Sequence, residues 1–98
     1  MKKLKTVVCE ETKSMFGYKK TYLLKSNNVI VGFIKTSIDE RIDNGYAVYV
    51  ESFIKNGEDY EPLNRRVSNN KLTLTEARKL RTKFVNEIKP NVYSFLNK

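Results

Sequence analysis

The side chains in this sequence that could do chemistry are cationic and aromatic. Lys19, Lys20 and Lys25 lie in one segment, Arg65 and Arg66 form an adjacent pair, and Arg78, Lys79 and Lys83 follow at spacings that share one side of a helix. Mobile cations placed along a surface hold phosphates, and each contact releases condensed counterions. Tyr18, Tyr22, Tyr46, Tyr49 and Phe53 are interleaved with or follow the first lysines. Aromatic rings on an uncovered sheet face stack on unpaired bases while lysines hold the backbone. Both sets also have an ordinary explanation. An amphipathic helix carries charge on its outer face, and tyrosine and phenylalanine are good strand formers.

Other chemistries lack their residues. The chain has no histidine, which removes the commonest general base and metal ligand. Its one cysteine, Cys9, excludes an internal disulfide and reads as a small apolar strand residue. The four glycines are scattered, so no loop is built to cradle phosphate. Asp39, Glu40 and Asp43 form an acidic cluster without the spacing of a calcium loop, as do Glu58, Asp59 and Glu61. The expectation is a binding protein with no catalytic residues, no metal and no cofactor. Asp39, Glu40 and Asp43 are the alternative protein-binding surface.

The net charge of +8 is unevenly distributed. Residues 1–35 carry eight lysines against Glu10 and Glu11, and residues 65–98 carry nine cations against Glu76 and Glu87. Residues 36–64 carry Arg41 and Lys55 against seven acids. Two basic thirds on one face would attract a polyanion and speed its encounter. No run approaches the roughly 18 apolar residues of a membrane span, and the apolar start is too short for a signal-peptide core. The reading is a cytoplasmic chain.

The elements that must position these residues follow from periodicity. Residues 3–9 read as a first strand and ETKSMFG as a loop. Tyr18 to Lys25 alternates as a half-buried strand, Asn27-Asn28 supplies a turn, and VIVGFI is a central strand. Thr36 to Asn44 is polar and reads as a loop or one helical turn anchored by Ile38 and Ile42. Tyr46 to Ile54 is the clearest strand. It puts Val48, Val50 and Ile54 on one face and Tyr49, Glu51 and Phe53 on the other. Asn56-Gly57 turns the chain into a strand from Tyr60 to Val67, with Pro62 favouring an edge. Lys71 to Leu74 reads as a last short strand.

Thr73-x-x-Glu76 has capping-box spacing, with Thr75 a near alternative for the cap. Ala77, Leu80, Phe84 and Ile88 give the helix its buried stripe, and Pro90 is expected to end it. The tail from 90 to 98 is apolar enough to dock on the domain or on a second copy, which would make a homodimer. The expected fold is a single α+β domain over 1–98. An antiparallel sheet of four to six strands (about 3–74) carries one main C-terminal helix (about 74–89) packed on one face.

Tyr46 to Ile88, with strands YAVYVESFI, YEPLNRRV and KLTL before a helix opening Thr73-Leu74-Thr75-Glu76-Ala77, resembles a known arrangement. It is similar to the arm-type DNA-binding domain of tyrosine integrases and to the related plant ethylene-response-factor domain. That resemblance implies that Arg65, Arg66 and Tyr49 face duplex DNA from the sheet. LTLTEARKL also resembles the sheet-to-helix junction of the positive-cofactor-four coactivators, which implies a dimer that binds single-stranded DNA.

The functional expectation is a small nucleic-acid-binding protein, with single-stranded DNA or RNA slightly favoured over duplex. Lys19, Lys20, Lys25, Arg65, Arg66, Arg78, Lys79 and Lys83 would hold phosphate, and Tyr49 and Phe53 would stack. The alternative is a small phage or mobile-element protein that binds and inhibits a host protein.

Overall fold

The computed structural model describes residues 4–41, 45–69 and 71–96. Strands β1 (Leu4–Val8), β2 (Thr12–Ser14), β3 (Gly17–Ser26), β4 (Val29–Glu40), β5 (Tyr46–Asn56) and β6 (Asp59–Val67) precede helix α1 (Leu74–Leu96). All strand pairs are antiparallel. The strand order is β1-β3-β4-β5-β6, with β2 continuing the β1 edge along the other half of β3. The fold is α+β, with one helix packed across one face of the sheet.

Alternation decides which face meets the helix. Tyr22 and Leu24 of β3, Ile34 and Ile38 of β4, and Val48, Val50 and Ile54 of β5 are buried in register beneath α1. Ala77, Val85, Ile88 and Val92 of the helix close this core. Two buried hydroxyls are matched locally. Thr36 Oγ1 donates to the Lys20 carbonyl at 2.6 Å, and Ser52 Oγ accepts the Asn64 N–H at 3.0 Å. The second bond lies where β6 shifts register against β5, so the hydroxyl replaces a missing ladder acceptor.

Segment 36–44 is expected as a loop or helical turn, but its residues 36–40 are strand. β4 runs on to Glu40 because Ile34, Thr36 and Ile38 keep pointing inward while Lys35, Ser37 and Asp39 take the opposite face. The polar composition hid a period of two. Ile42 and Asp43 lie outside the described residues. The expected loop at 11–17 contains β2, which hairpins onto β3 through Met15-Phe16. Gly17, at φ 149°, closes that turn, and a Cβ there would sit 1.9 Å from the Ile38 carbonyl oxygen. Instead of a strand at 71–74 there is a single bridge from Leu72 to Tyr46.

Asn27 and Asn28 both take positive φ in the β3–β4 turn, and Gly57 does so in the β5–β6 turn. β6 is the edge strand that Pro62 favours.

The capping box at the start of α1 is complete. Glu76 N–H donates to Thr73 Oγ1 at 3.1 Å, and Thr73 N–H donates to Glu76 Oε1 at 2.9 Å. The backbone and side-chain hydrogen bonds at Thr73 hold the Glu76 carboxyl below its ordinary pKa.

Pro90 does not end the helix, which continues to Leu96. At about 100° per residue Pro90 falls opposite the buried stripe. It is exposed, so the Asn86 carbonyl that loses its helical partner can turn to water. Residues 90–96 of the expected tail are therefore the last turns of α1. Val92 is fully buried, and the Tyr93 hydroxyl hydrogen-bonds Thr6 Oγ1 on β1. The stripe also differs from expectation. Arg81, Val85 and Val92 join Ala77 and Ile88, while Leu80 and Phe84 are only half-buried at its margin.

Candidate nucleic-acid interface

The face of the sheet away from α1 has no covering element among the described residues, and register arranges its side chains in rows across the strands. Lys19, Ser37, Tyr49 and Val67 are successive cross-strand neighbours. The next row is Thr21, Lys35, Glu51 and Arg65. The third is Val7, Leu23, Phe33, Phe53 and Pro62. Beyond it lie Lys5 opposite Lys25 and Lys55 opposite Tyr60. An apolar band thus crosses the sheet with cations on both sides.

The band is organised by ring contacts. Phe33 and Phe53 stack at 4.8 Å between centroids with 22° between planes, and Tyr60 meets Phe33 edge-on at 5.2 Å. These are favourable aromatic geometries, and they hold the rings at the surface without helix contacts. Tyr49 is held differently. Its hydroxyl donates to Glu51 Oε1 at 2.5 Å, and the Arg65 guanidinium lies 5.5 Å from its ring centroid. The bond to Glu51, with burial behind it, raises the Tyr49 pKa. Glu51 is thus engaged with the Tyr49 hydroxyl.

The expected site residues separate into two groups. Lys19, Lys25, Tyr49, Phe53 and Arg65 share the open face. Lys20 and Arg66 alternate to the helix side, where Lys20 lies over the Tyr22 ring at 5.5 Å and Arg66 is 4.0 Å from Glu87. Arg78 belongs to α1. It donates to Glu11 at 3.0 Å and covers the Tyr18 ring at 5.1 Å. Lys79 and Lys83 are exposed on the outer side of the helix, across the molecule from Phe53. Arg65 and Arg66 therefore cannot act as one clamp, and the helix cations do not extend the open-face surface.

No family model, curated protein or solved structure matches this chain.

The acidic residues are divided between the two faces, with Asp39 and Glu51 on the open one. Asp39 and Glu40 alternate to opposite faces, so they do not form a cluster. Asp39 Oδ1 accepts the Ser37 hydroxyl at 2.5 Å. Asp59 and Glu61 alternate away from the open face, and Glu61 accepts from Asn56 at 2.6 Å. The negative character of the β5–β6 region thus lies largely off the surface that carries Arg65 and Tyr60.

Sequence reasoning missed Lys5, Phe33, Lys35, Lys55 and Tyr60. The signal for Phe33 and Lys35 was the alternation of β4. Lys5, Lys55 and Tyr60 required pairing registers, which one sequence does not state.

Proposed function

We propose that this chain acts by binding nucleic acid across the open face of its sheet, without catalysing a reaction. The observation that carries this reading is the band of Leu23, Phe33, Phe53 and Tyr60 lying between Lys19, Lys35 and Arg65 on one side and Lys5, Lys25 and Lys55 on the other. Rings supply sequence-tolerant stacking, worth about 1–3 kcal/mol per base, and the flanking cations follow the backbone.

The breadth of the face favours a single strand. Five strands at about 4.8 Å span about 19 Å, whereas the major groove, about 12 Å wide, admits a two-stranded ribbon. A sheet of this width meets splayed bases more readily than it enters a groove.

Fluorescence anisotropy of labelled single- and double-stranded DNA and RNA tests the reading at about 50 and about 200 mM salt. Binding that prefers single strands and weakens steeply with salt is expected, and charge reversal at Lys25 and Lys35 should abolish it. Absence of binding at the lower salt would reject it.

A further inference from the structure

We propose that copies of this chain associate head to tail, with Phe16 of one copy seated in the cavity formed by Leu4, Val31 and Leu96 of the next. Three observations meet in this proposal. The first is the β2–β3 turn, whose two central residues are Met15 and Phe16, 86% and 73% exposed. The other two-residue turns use Asn27-Asn28 and Gly57-Glu58, residues suited to tight turns or to water. Nothing in a hairpin turn calls for two large apolar side chains, and their exposure leaves them without the burial that such side chains ordinarily gain.

The second observation is a cavity of about 260 Å³ lined by Leu4, Val31, Lys55, Gly57 and Leu96. Its apolar walls come from β1, from the register shift in β4 and from the last turn of α1. A dry apolar cavity of about 150 Å³ suffices for benzene, so this one has room for a phenyl ring.

The third is their placement. β3 starts at the Met15-Phe16 turn and ends at Ser26, which pairs with Leu4, while the far end of β5 carries Lys55. Tip and cavity therefore lie at opposite ends of the sheet, in a molecule 46 Å long and 22 by 20 Å across. One opposite pair of charges is available to such a contact, although exposed Arg41 follows the acid. Glu40 N–H donates to the Phe16 carbonyl at 2.8 Å, which places an exposed glutamate beside the tip, and Lys55 lines the cavity.

A contact between two different patches does not close on itself, so each added copy leaves a free tip and a free cavity. One turn in one cavity is also a small interface, below the size of stable complexes, so association is weak in free solution. A second copy is the occupant because this chain itself supplies both the apolar tip with its acid and the partly apolar cavity with its lysine.

Sedimentation of the full chain alone tests this independently of nucleic acid, from about 10 μM to about 1 mM, the range for an interface of this size. The average mass is expected to rise with concentration past that of a dimer, without a plateau. Phe16→Ser, with its cavity intact, and Leu96→Lys, with its tip intact, should each weaken association at least about tenfold. Mixed in equal amounts, they should form a one-to-one dimer and nothing larger.

Lys55→Glu, an exposed change that leaves the fold intact, should also weaken association, and Glu40→Lys in the same chain should restore it. A monomer at every concentration, a plateau at dimer, or association unchanged by Phe16→Ser would overturn the proposal. A monomer would leave the tip to a partner of different sequence.

Discussion

Glu11 and Arg81 are joined across the molecule, with Glu11 Oε2 accepting from Arg81 Nη1 at 2.5 Å. Glu11 lies between β1 and β2, and Arg81 is 6% exposed in the buried stripe of α1, where its Nε has no partner. Arg78 binds the other carboxylate oxygen at 3.0 Å. The carboxylate thus fastens the β1–β2 edge to the helix and neutralises a cation that the core could not otherwise hold.

Glu11→Ala should cost about 2 kcal/mol in urea unfolding, because it leaves Arg81 buried and unpaired. Arg81→Met should cost less, since it fills the same space without a charge, and Glu11 keeps Arg78. Equal losses would show that the ion pair is not what matters at this position.

The pH dependence of stability follows from the same contact. Burial alone would raise the Glu11 pKa, but hydrogen bonds and charge from Arg81 and Arg78 outweigh it and hold the carboxyl below its usual 4.5. A carboxyl whose pKa is lowered on folding stabilises fully above the unfolded value and loses that contribution as pH falls through the folded one. Urea midpoints should therefore fall below about pH 4.5 in the wild type. The fall should be shallower in Glu11→Gln.

Pro90 offers a stabilising change. Pro90→Ala restores the hydrogen bond to the Asn86 carbonyl on the exposed side of α1 and disturbs no buried contact. A gain of about 1–2 kcal/mol is expected, read as a rise in Tm of at least about 5 °C. An unchanged or lower Tm would mean that the rigidity of proline in the unfolded chain outweighs its missing donor.

Arg65 and Arg66 should differ in binding assays although they are neighbours in sequence. Arg65→Ala should lower the slope of log affinity against log salt by about 0.7, the share of one phosphate contact on a single strand. Arg66→Ala should leave the slope unchanged, because its side chain is on the helix side near Glu87. Equal effects would place the nucleic acid at the β6 edge rather than on the open face.

Phe53→Leu keeps an apolar side chain in the band but removes the stacking partner of Phe33. Oligonucleotide affinity should drop by about tenfold at each salt concentration, with the salt slope preserved. A change in slope without a uniform loss would assign Phe53 to positioning the lysines.

Where the pattern repeated locally, the sequence was readable. Tyr46 to Ile54 showed its two faces, so Tyr49 and Phe53 could be assigned to the side opposite Val50 before any pairing was known. Thr73 and Glu76 marked the start of the helix. Polar residues concealed the second half of β4, because Thr36 is buried through a hydrogen bond to Lys20 rather than by apolarity. Arg81 was hidden for a related reason, since only Glu11, seventy residues away, makes an arginine acceptable in that stripe. Lysines 19 and 20 are grouped as phosphate contacts although the alternation of Tyr18 to Lys25 puts neighbours on opposite sides.

The two ends of the described chain are tied together, Thr6 to Tyr93 and Glu11 to Arg81. During synthesis all six strands are made before the helix, so a nascent chain that has reached Val67 has nothing to lay over Ile34, Val48 and Val50. Its sheet is then a sticky surface, vulnerable to other nascent chains until α1 emerges. The core therefore closes only once α1 has been made, and contacts spanning so much of the domain predict refolding in milliseconds to seconds rather than microseconds.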